Sequence, residues 1–387
     1  LFRRAALFGA LVLLALVVSS CSAGRIEASW GSLSTANDST EIVFAYYDRL
    51  VKIDPISGRP VQLLDSEGNV RLDDAGNPRT WVVTAPEVPA QTQFYTAPLV
   101  LNDDTMLVAS YTGHLFEVED RTARVNNGAG VATGGSVVGN PLIENDALFL
   151  PHSDRNIQAL SMGEFDPDWT FQTEHGIYGQ PLLIDGVLYV GSLDHNVYAL
   201  DPDTGEQVWA ANMSGAVTST PAYANDALYV GSLGSKMFKL GLDGEILATL
   251  DAANWVWGTP AVSGDMVYFG DVAGNLYAAR DTGSSFELVW GPVQVATNAI
   301  VATPLVAGDV LIVGSRDRHV YWVDRLTGEV LQTRETRGEV LGNMLLLEPS
   351  DALPLSQPIV VVSTMANEEL VVAFSLENGE RLWAYQR

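Results

Sequence analysis

Cysteine occurs once in this chain, at Cys21. A lone thiol excludes intramolecular disulfides, cysteine-rich zinc sites and iron–sulfur clusters, all of which need several thiolates. Basic residues are scarce as well: 21 Lys and Arg stand against 47 Asp and Glu, a formal net charge of −26. Nucleic-acid binding requires a basic footprint, so that class of partner is excluded. The same charge favours solubility and distance from anionic polymers and lipids. Long windows of Ala, Leu, Glu and Lys are missing after the first 20 residues, which argues against helices. No P-loop, G-x-S-x-G or H-E-x-x-H motif occurs. The five histidines are His114, His152, His175, His195 and His319. Most lie in or beside equivalent turns of different repeats, which separates them in space and argues against a shared metal or catalytic site.

What is present reads as all-β. Hydrophobic residues make up 47% of the chain, enough for a large core, and 35 Gly and 18 Pro spread along it supply many turns. The N-terminus is an address. Arg3 and Arg4 precede an apolar run from Ala5 to Val18, and Ser19, Ser20, Cys21 and Ser22 follow. That is the layout of a secretory signal, and the run is shorter than the ~20 apolar residues of a membrane span. The end of the run, Val18-Ser19-Ser20-Cys21, resembles a bacterial lipobox. The resemblance implies lipid attachment at the Cys21 thiol, with two or three chains anchoring the protein where a single chain holds only marginally. We expect residues 1–20 to be a signal peptide, 21–39 a lipidated N-terminus and tether, and 40–387 the folded domain of an exported, membrane-anchored protein.

Internal repetition carries the fold expectation. One unit runs from Pro181 to Trp209, and similar units start at Pro98, Pro141, Pro221, Pro260 and Pro304. An apolar alternating strand recurs from Leu50, Leu115, Ile157, Val197, Met237, Leu276, Val320 and Val371. Each unit decodes into four short strands. Proline sits at a strand start, where its missing N–H is tolerated, and Asp194-His195-Asn196 is a tight hairpin turn. Four antiparallel strands in roughly 40–45 residues make one propeller blade. The expected fold is an eight-bladed β-propeller. Seven blades is the alternative, if Leu50 and Val371 share one closing blade. Small residues two positions before the prolines (Thr96, Gly139, Gly179, Ser219, Gly258, Ala302) suit the crowded axis.

The segment Ala199-Leu200-Asp201-Pro202-Asp203-Thr204-Gly205-Glu206-Gln207-Val208-Trp209 matches A-x-D-x-x-T-G-x-x-x-W. It resembles the tryptophan-docking motif of pyrroloquinoline-quinone (PQQ) repeats, with weaker copies at Asp54 to Gly58, Asp324 to Gly328 and Asn378 to Trp383. The resemblance covers the chain from about Thr40 onward. It implies that Trp169, Trp209, Trp290 and Trp383 dock between blades, a packing role that suits their large apolar area. Leu250 and Gln332 stand near the tryptophan place in two units, where the junctions should pack differently.

Quinoprotein dehydrogenases share this repeat, so PQQ and Ca²⁺ are the cofactors to consider. The alcohol-oxidising branch carries an adjacent-cysteine disulfide and a Ca²⁺ ligand set, and the propeller here has neither a cysteine nor a clear Ca²⁺ loop. With a lipid-bearing cysteine and no quinone equipment, the chain is similar to the BamB-type lipoproteins of outer-membrane barrel assembly. That implies a non-enzymatic scaffold with a protein partner at a propeller rim. A PQQ-dependent dehydrogenase and a small-molecule or carbohydrate-binding propeller are the alternatives. Two features exceed the repeat background. Trp255 and Trp257, in Asn254-Trp255-Val256-Trp257-Gly258, are candidate partner-binding residues on an innermost strand. The long connection Asp65 to Gln93 is expected to form an extra hairpin with two Gly/Asn turns, and Glu335 to Gln357 holds a second insertion.

Overall fold

A computed structural model of the chain describes residues 32–36, 39–65, 67–85, 92–102 and 104–386. The expected signal segment, Cys21 and Trp30 lie outside the described residues. What is described forms eight antiparallel sheets, each a meander of strands taken in chain order. These are the blades of an eight-bladed propeller: blade 1 from Ser32 to Thr84, blade 2 from Leu99 to Ala132, blade 3 from Leu142 to Gln172, and blade 4 from Leu182 to Asn212. Blade 5 runs from Ala222 to Asp251, blade 6 from Ala261 to Gln294, blade 7 from Leu305 to Glu335, and blade 8 from Leu345 to Tyr385. Blade 1 thus begins at Ser32, inside the stretch read as a tether.

Blade 4 shows the pattern, with strands Leu182–Ile184, Val187–Gly191, Asn196–Leu200 and Gln207–Asn212. The prolines of the sequence repeat stand one residue before the first strand in blades 2 to 7, where no ladder hydrogen bond is lost. The eight apolar strands of the repeat are the eight third strands, and Leu50 and Val371 fall in separate blades, 1 and 8. First strands of neighbouring blades touch near the axis at junctions 1/2, 5/6, 6/7 and 7/8. A Cβ on Gly179 would stand 2.6 Å from the Ser219 backbone. Only a residue without a side chain permits that approach.

Side chains alternate across each sheet, and both faces of a blade meet a neighbour. Eight apolar clusters result, one per junction. The cluster of Phe44, Val51, Val371 and Ala373 joins blades 1 and 8 and closes the ring.

Tryptophan clamps four of the junctions. Trp169 Nε1 donates to the Pro202 carbonyl at 2.8 Å, Trp209 to Leu242 at 2.8 Å, Trp290 to Arg325 at 3.1 Å and Trp383 to Pro55 at 2.8 Å. Each acceptor belongs to the turn before the outer strand of the next blade. The indole also lies on the glycine of that turn: at Gly205, with φ +72°, an added Cβ would fall 2.6 Å from the Trp169 ring. The motif's alanine explains the fit, because Ala159, Ala199, Ala278 and Ala373 pair directly opposite these four tryptophans and leave room for them.

Where that alanine is replaced, the clamp changes. Blade 7 carries Trp322 opposite Gln332, and Trp322 Nε1 reaches the Leu376 carbonyl at 2.9 Å while Arg334 bonds Gly379 and Asn378. Blade 1 carries Lys52, buried against Glu41 (2.6 Å) and Asp120 (2.7 Å), with Trp81 Nε1 on the Asp120 carbonyl. Blade 5 carries Lys239, paired with Asp281 of blade 6 at 2.8 Å and bonded to the Gly283 carbonyl at 2.8 Å; the Tyr229 hydroxyl also donates to Asp281. Burial pushes Asp281 up, but Lys239, Tyr229 and the Gly283 N–H outweigh it and hold the carboxyl below its ordinary range. Opposite Lys239 stands Ala248, not Leu250, which pairs with Met237. The turn of blade 5 is one residue shorter than that of blade 4, pairing Leu240 with Ile246 where blade 4 pairs Leu200 with Gln207, which draws the facing position back toward Ala248.

Trp209→Ala and Trp383→Ala each remove an indole and its hydrogen bond. We expect each to lower unfolding free energy by about 3 kcal/mol, measured by denaturant titration, and Gly205→Ala to destabilise by forcing Trp169 from its place.

Candidate functional site

Repeats make most of the surface equivalent, so a site must stand where a blade departs from its siblings. The connectors from each outer strand to the next first strand share one hydrogen-bond scheme. A buried residue enters the interblade core and donates its N–H to the end of the preceding blade's second strand: Val217 to Ser192 at 3.0 Å, Val256 to Ser232 at 3.1 Å, Ile300 to Asp271 at 3.1 Å. The residue before it accepts from the next blade: Leu233 N–H on Ala216, Val272 N–H on Trp255, Arg316 N–H on Ala299. Each connector is thus pinned to both blades it joins.

Trp255 and Trp257 flank the fully buried Val256 in the connector from blade 5 to blade 6. This segment is not a strand, contrary to the sequence expectation; the innermost strand of blade 6 is Ala261–Ser263, and the chain before it is committed to the pinning scheme. The alternation survives, since Val256 fills the space over Gly231 and both tryptophans remain half-buried. The Trp257 carbonyl accepts from Thr218 Oγ1 at 2.7 Å. Sibling connectors place Ala216 and Thr218, or Ala299 and Val301, at the same two positions. Only here does a tryptophan occupy both sides of the buried residue among the described connectors. Two fixed, partly exposed indoles offer apolar area and N–H donors at small entropic cost, the properties of an anchor for a protein partner.

The insertion in blade 1 forms a small arm, closed by turns at Asp65 to Asn69 and Asp73 to Asn77 as expected. Its backbone is tied in a triangle: Leu63 N–H to Arg79, Arg79 N–H to Arg71 and Arg71 N–H to Leu63, each at 2.8 Å. Asp65 and Asp73 are held below the ordinary carboxylate range, chiefly by the N–H groups of Asn69 and Asn77. Turn geometry explains these acids, which makes the arm a weaker candidate than the tryptophan pair. The stretch read as a second insertion, Glu335 to Gln357, holds the connector to blade 8, that blade's first strand Leu345–Leu347 and the long loop before its second, Ile359–Ala366.

PQQ, a tricarboxylate, needs cations or a Ca²⁺ ion around it. At the paired connector positions the side chains are Trp, Tyr, Ala, Thr, Val and similar groups; the carboxylate there, Glu339, is engaged by Arg316 at 2.9 Å. The two buried lysines are sealed between blades with acidic partners. These residues do not fit the cofactor. Among the described residues, no three His, Cys, Asp or Glu side chains converge to hold a metal ion. Missed in the sequence were Lys52 and Lys239; the signal was there, because each stands at the motif's alanine and an aspartate, Asp120 or Asp281, stands in the corresponding turn of the next repeat.

His152 is fully buried on the connector side of blade 3, with Nε2 3.2 Å from Gln158 Oε1. Burial lowers its pKa below the usual 6.5. The unfolded chain then takes up the proton first, so stability is complete above about pH 6.5 and declines as pH falls below it. We expect urea midpoints to drop between pH 7 and 5, and His152→Gln to flatten that slope.

The family model described as outer membrane protein assembly factor BamB matches residues 193–384. That described as the β-propeller domain of glucose/ethanol/alcohol dehydrogenase matches residues 144–238. No curated protein matches the sequence. Among solved structures, BamB from Moraxella catarrhalis aligns with TM-score 0.64 at 16% identity, over 90% of this chain and 95% of its own. The computationally designed Ika8 protein aligns with TM-score 0.65 at 14% identity, over 90% and 97%. At such identities the structures speak to fold alone.

Proposed function

Starting from a chain that is a PQQ-repeat β-propeller similar to BamB, we propose that it is a non-enzymatic binding scaffold, exported and anchored to a membrane through Cys21. Its partner is a protein that docks on the connector face at Trp255 and Trp257. The observation that carries this reading is the doubled tryptophan at a position pair that sibling connectors fill with smaller groups. The lipobox-like Val18-Ser19-Ser20-Cys21 supports the anchor and a periplasmic or cell-surface location. Residues 21–31 would then form the tether between lipid and ring.

Dehydrogenase activity is the second reading, favoured by the match over residues 144–238. One preparation separates the two. The full-length lipidated protein, mixed with PQQ and Ca²⁺, should show no bound chromophore after gel filtration. Affinity capture from membranes of the source cell should recover one stoichiometric protein. Trp255→Ala with Trp257→Ala should weaken that capture by at least about 2 kcal/mol, the scale of an interface hot spot, with an unchanged circular dichroism spectrum. A retained quinone would overturn the scaffold reading; undiminished capture by the double variant would remove the tryptophans from the interface. Recovery of glycan instead of protein would assign the face to carbohydrate.

A further inference from the structure

Both features that exceed the repeat background lie at junctions where lysine replaces the motif's alanine: the arm at junction 1/2 and the tryptophan pair at junction 5/6. At junction 1/2 an indole, Trp81, still reaches the neighbouring turn. At junction 5/6 no indole crosses on the turn side, because Ala248 occupies the tryptophan's place and Lys239 and Asp281 meet instead. We propose that junction 5/6 is a yielding seam relative to the four indole-clamped junctions, and that the connector bearing Trp255 and Trp257 is the strap across it, so that opening of the seam releases the candidate binding surface. Junction 2/3, where Glu117 stands at the alanine position and bonds within its own blade, also lacks a crossing indole but bears neither tryptophan.

The argument is one of net energies. Burying Lys239 and Asp281, both under a tenth exposed, costs each ion its hydration, and their attraction largely offsets that cost without exceeding it by much. An indole docked on glycine gains by burying apolar area and by a hydrogen bond, with no charge to desolvate. The seam therefore holds its geometry with less net stabilisation than junctions 3/4, 4/5, 6/7 and 8/1. On the other side of the ring the same two blades are tied through the connector: Ala252 N–H to Ser235 at 2.9 Å, Ala253 N–H to the Tyr277 hydroxyl at 2.8 Å, Val256 N–H to Ser232 and Val272 N–H to Trp255. The Ala252 and Val256 bonds hold the connector to blade 5, and the Ala253 and Val272 bonds hold it to blade 6. If the connector stays with blade 5, parting of the blades breaks the second pair, and a partner seated on both indoles favours the closed arrangement by its differential affinity. That last consequence rests on the binding reading; the seam itself does not.

Hydrogen–deuterium exchange on the full-length protein tests the seam without a partner. The amides of Ala253 and Val272, which bond between the connector and blade 6, should exchange at least about tenfold faster than Leu233 and Arg316, which bond the next blade to the connector at junctions 4/5 and 6/7, if local opening sets the rate. Lys239→Met should accelerate them further. Lys239→Ala combined with Ala248→Trp and Asp281→Asn, which rebuilds the alanine–tryptophan pair without leaving a buried carboxylate unpaired, should bring them to the rate of their counterparts. Arg334→Met, at junction 7/8, should leave them unchanged. Equal exchange at the three junctions of the unsubstituted protein, or no slowing in the rebuilt variant, would overturn the proposal; the first comparison stands even where Lys239→Met fails to fold. In the capture experiment the rebuilt variant should retain more partner than the unsubstituted protein. Empty captures with the exchange pattern intact would reject the binding reading and leave the seam.

Discussion

One contact recurs at seven of the eight described junctions: a donor from one blade placed on the turn that precedes the outer strand of the next; junction 2/3 closes on its apolar cluster. Pro202, Leu242, Arg325 and Pro55 accept an indole N–H through their carbonyls, and Asp120 and Leu376 do so from Trp81 and Trp322. The contact is the same whether the tryptophan stands on the third or the outer strand. A blade alone is a small twisted sheet with two apolar faces, and only its neighbours cover them. Where it is present, the clamp fixes how neighbours face each other over the interblade core, and Trp383 on Pro55 does so where the ring closes.

The exceptions follow from side-chain volume and charge. A methyl group at the motif's alanine leaves space for an indole opposite. A longer side chain fills that space, and in blades 1, 5 and 7 it supplies the contact itself, whereas Glu117 of blade 2 bonds Asn126 of its own blade. Trp322 does so as an indole; Lys52 and Lys239 do so as cations, and each meets an aspartate where the other turns present a carbonyl. The substitutions are paired across neighbouring repeats because an unpartnered buried ammonium would be far costlier than either arrangement.

Repetition also shapes where function sits. Closure and packing fix the first strands, the third strands and the buried residue of each connector, which leaves turns and the residues beside Val256 free to vary. Trp255 and Trp257 were legible in the sequence as an anomaly, since paired tryptophans break the repeat. Their setting was not legible. Read by alternation alone, they fell on an innermost strand; the structure places them in a connector, because Val256 and Trp255 spend their backbone groups on Ser232 and Val272 instead of a ladder.

The chain's linear order settled its strands, their number and their arrangement into blades, because pairing within a blade joins residues close in sequence and the period of apolar residues reports it directly. It also pointed to Trp169, Trp209, Trp290 and Trp383 through the motif, but not to Trp81 or Trp322. The ring itself belongs to the tertiary structure. Trp383 meets Pro55 across 328 residues, and Lys239 meets Asp281 across 42. Contacts of that kind depend on where closure brings each surface, and no local pattern encodes which half-buried side chain will find a partner there.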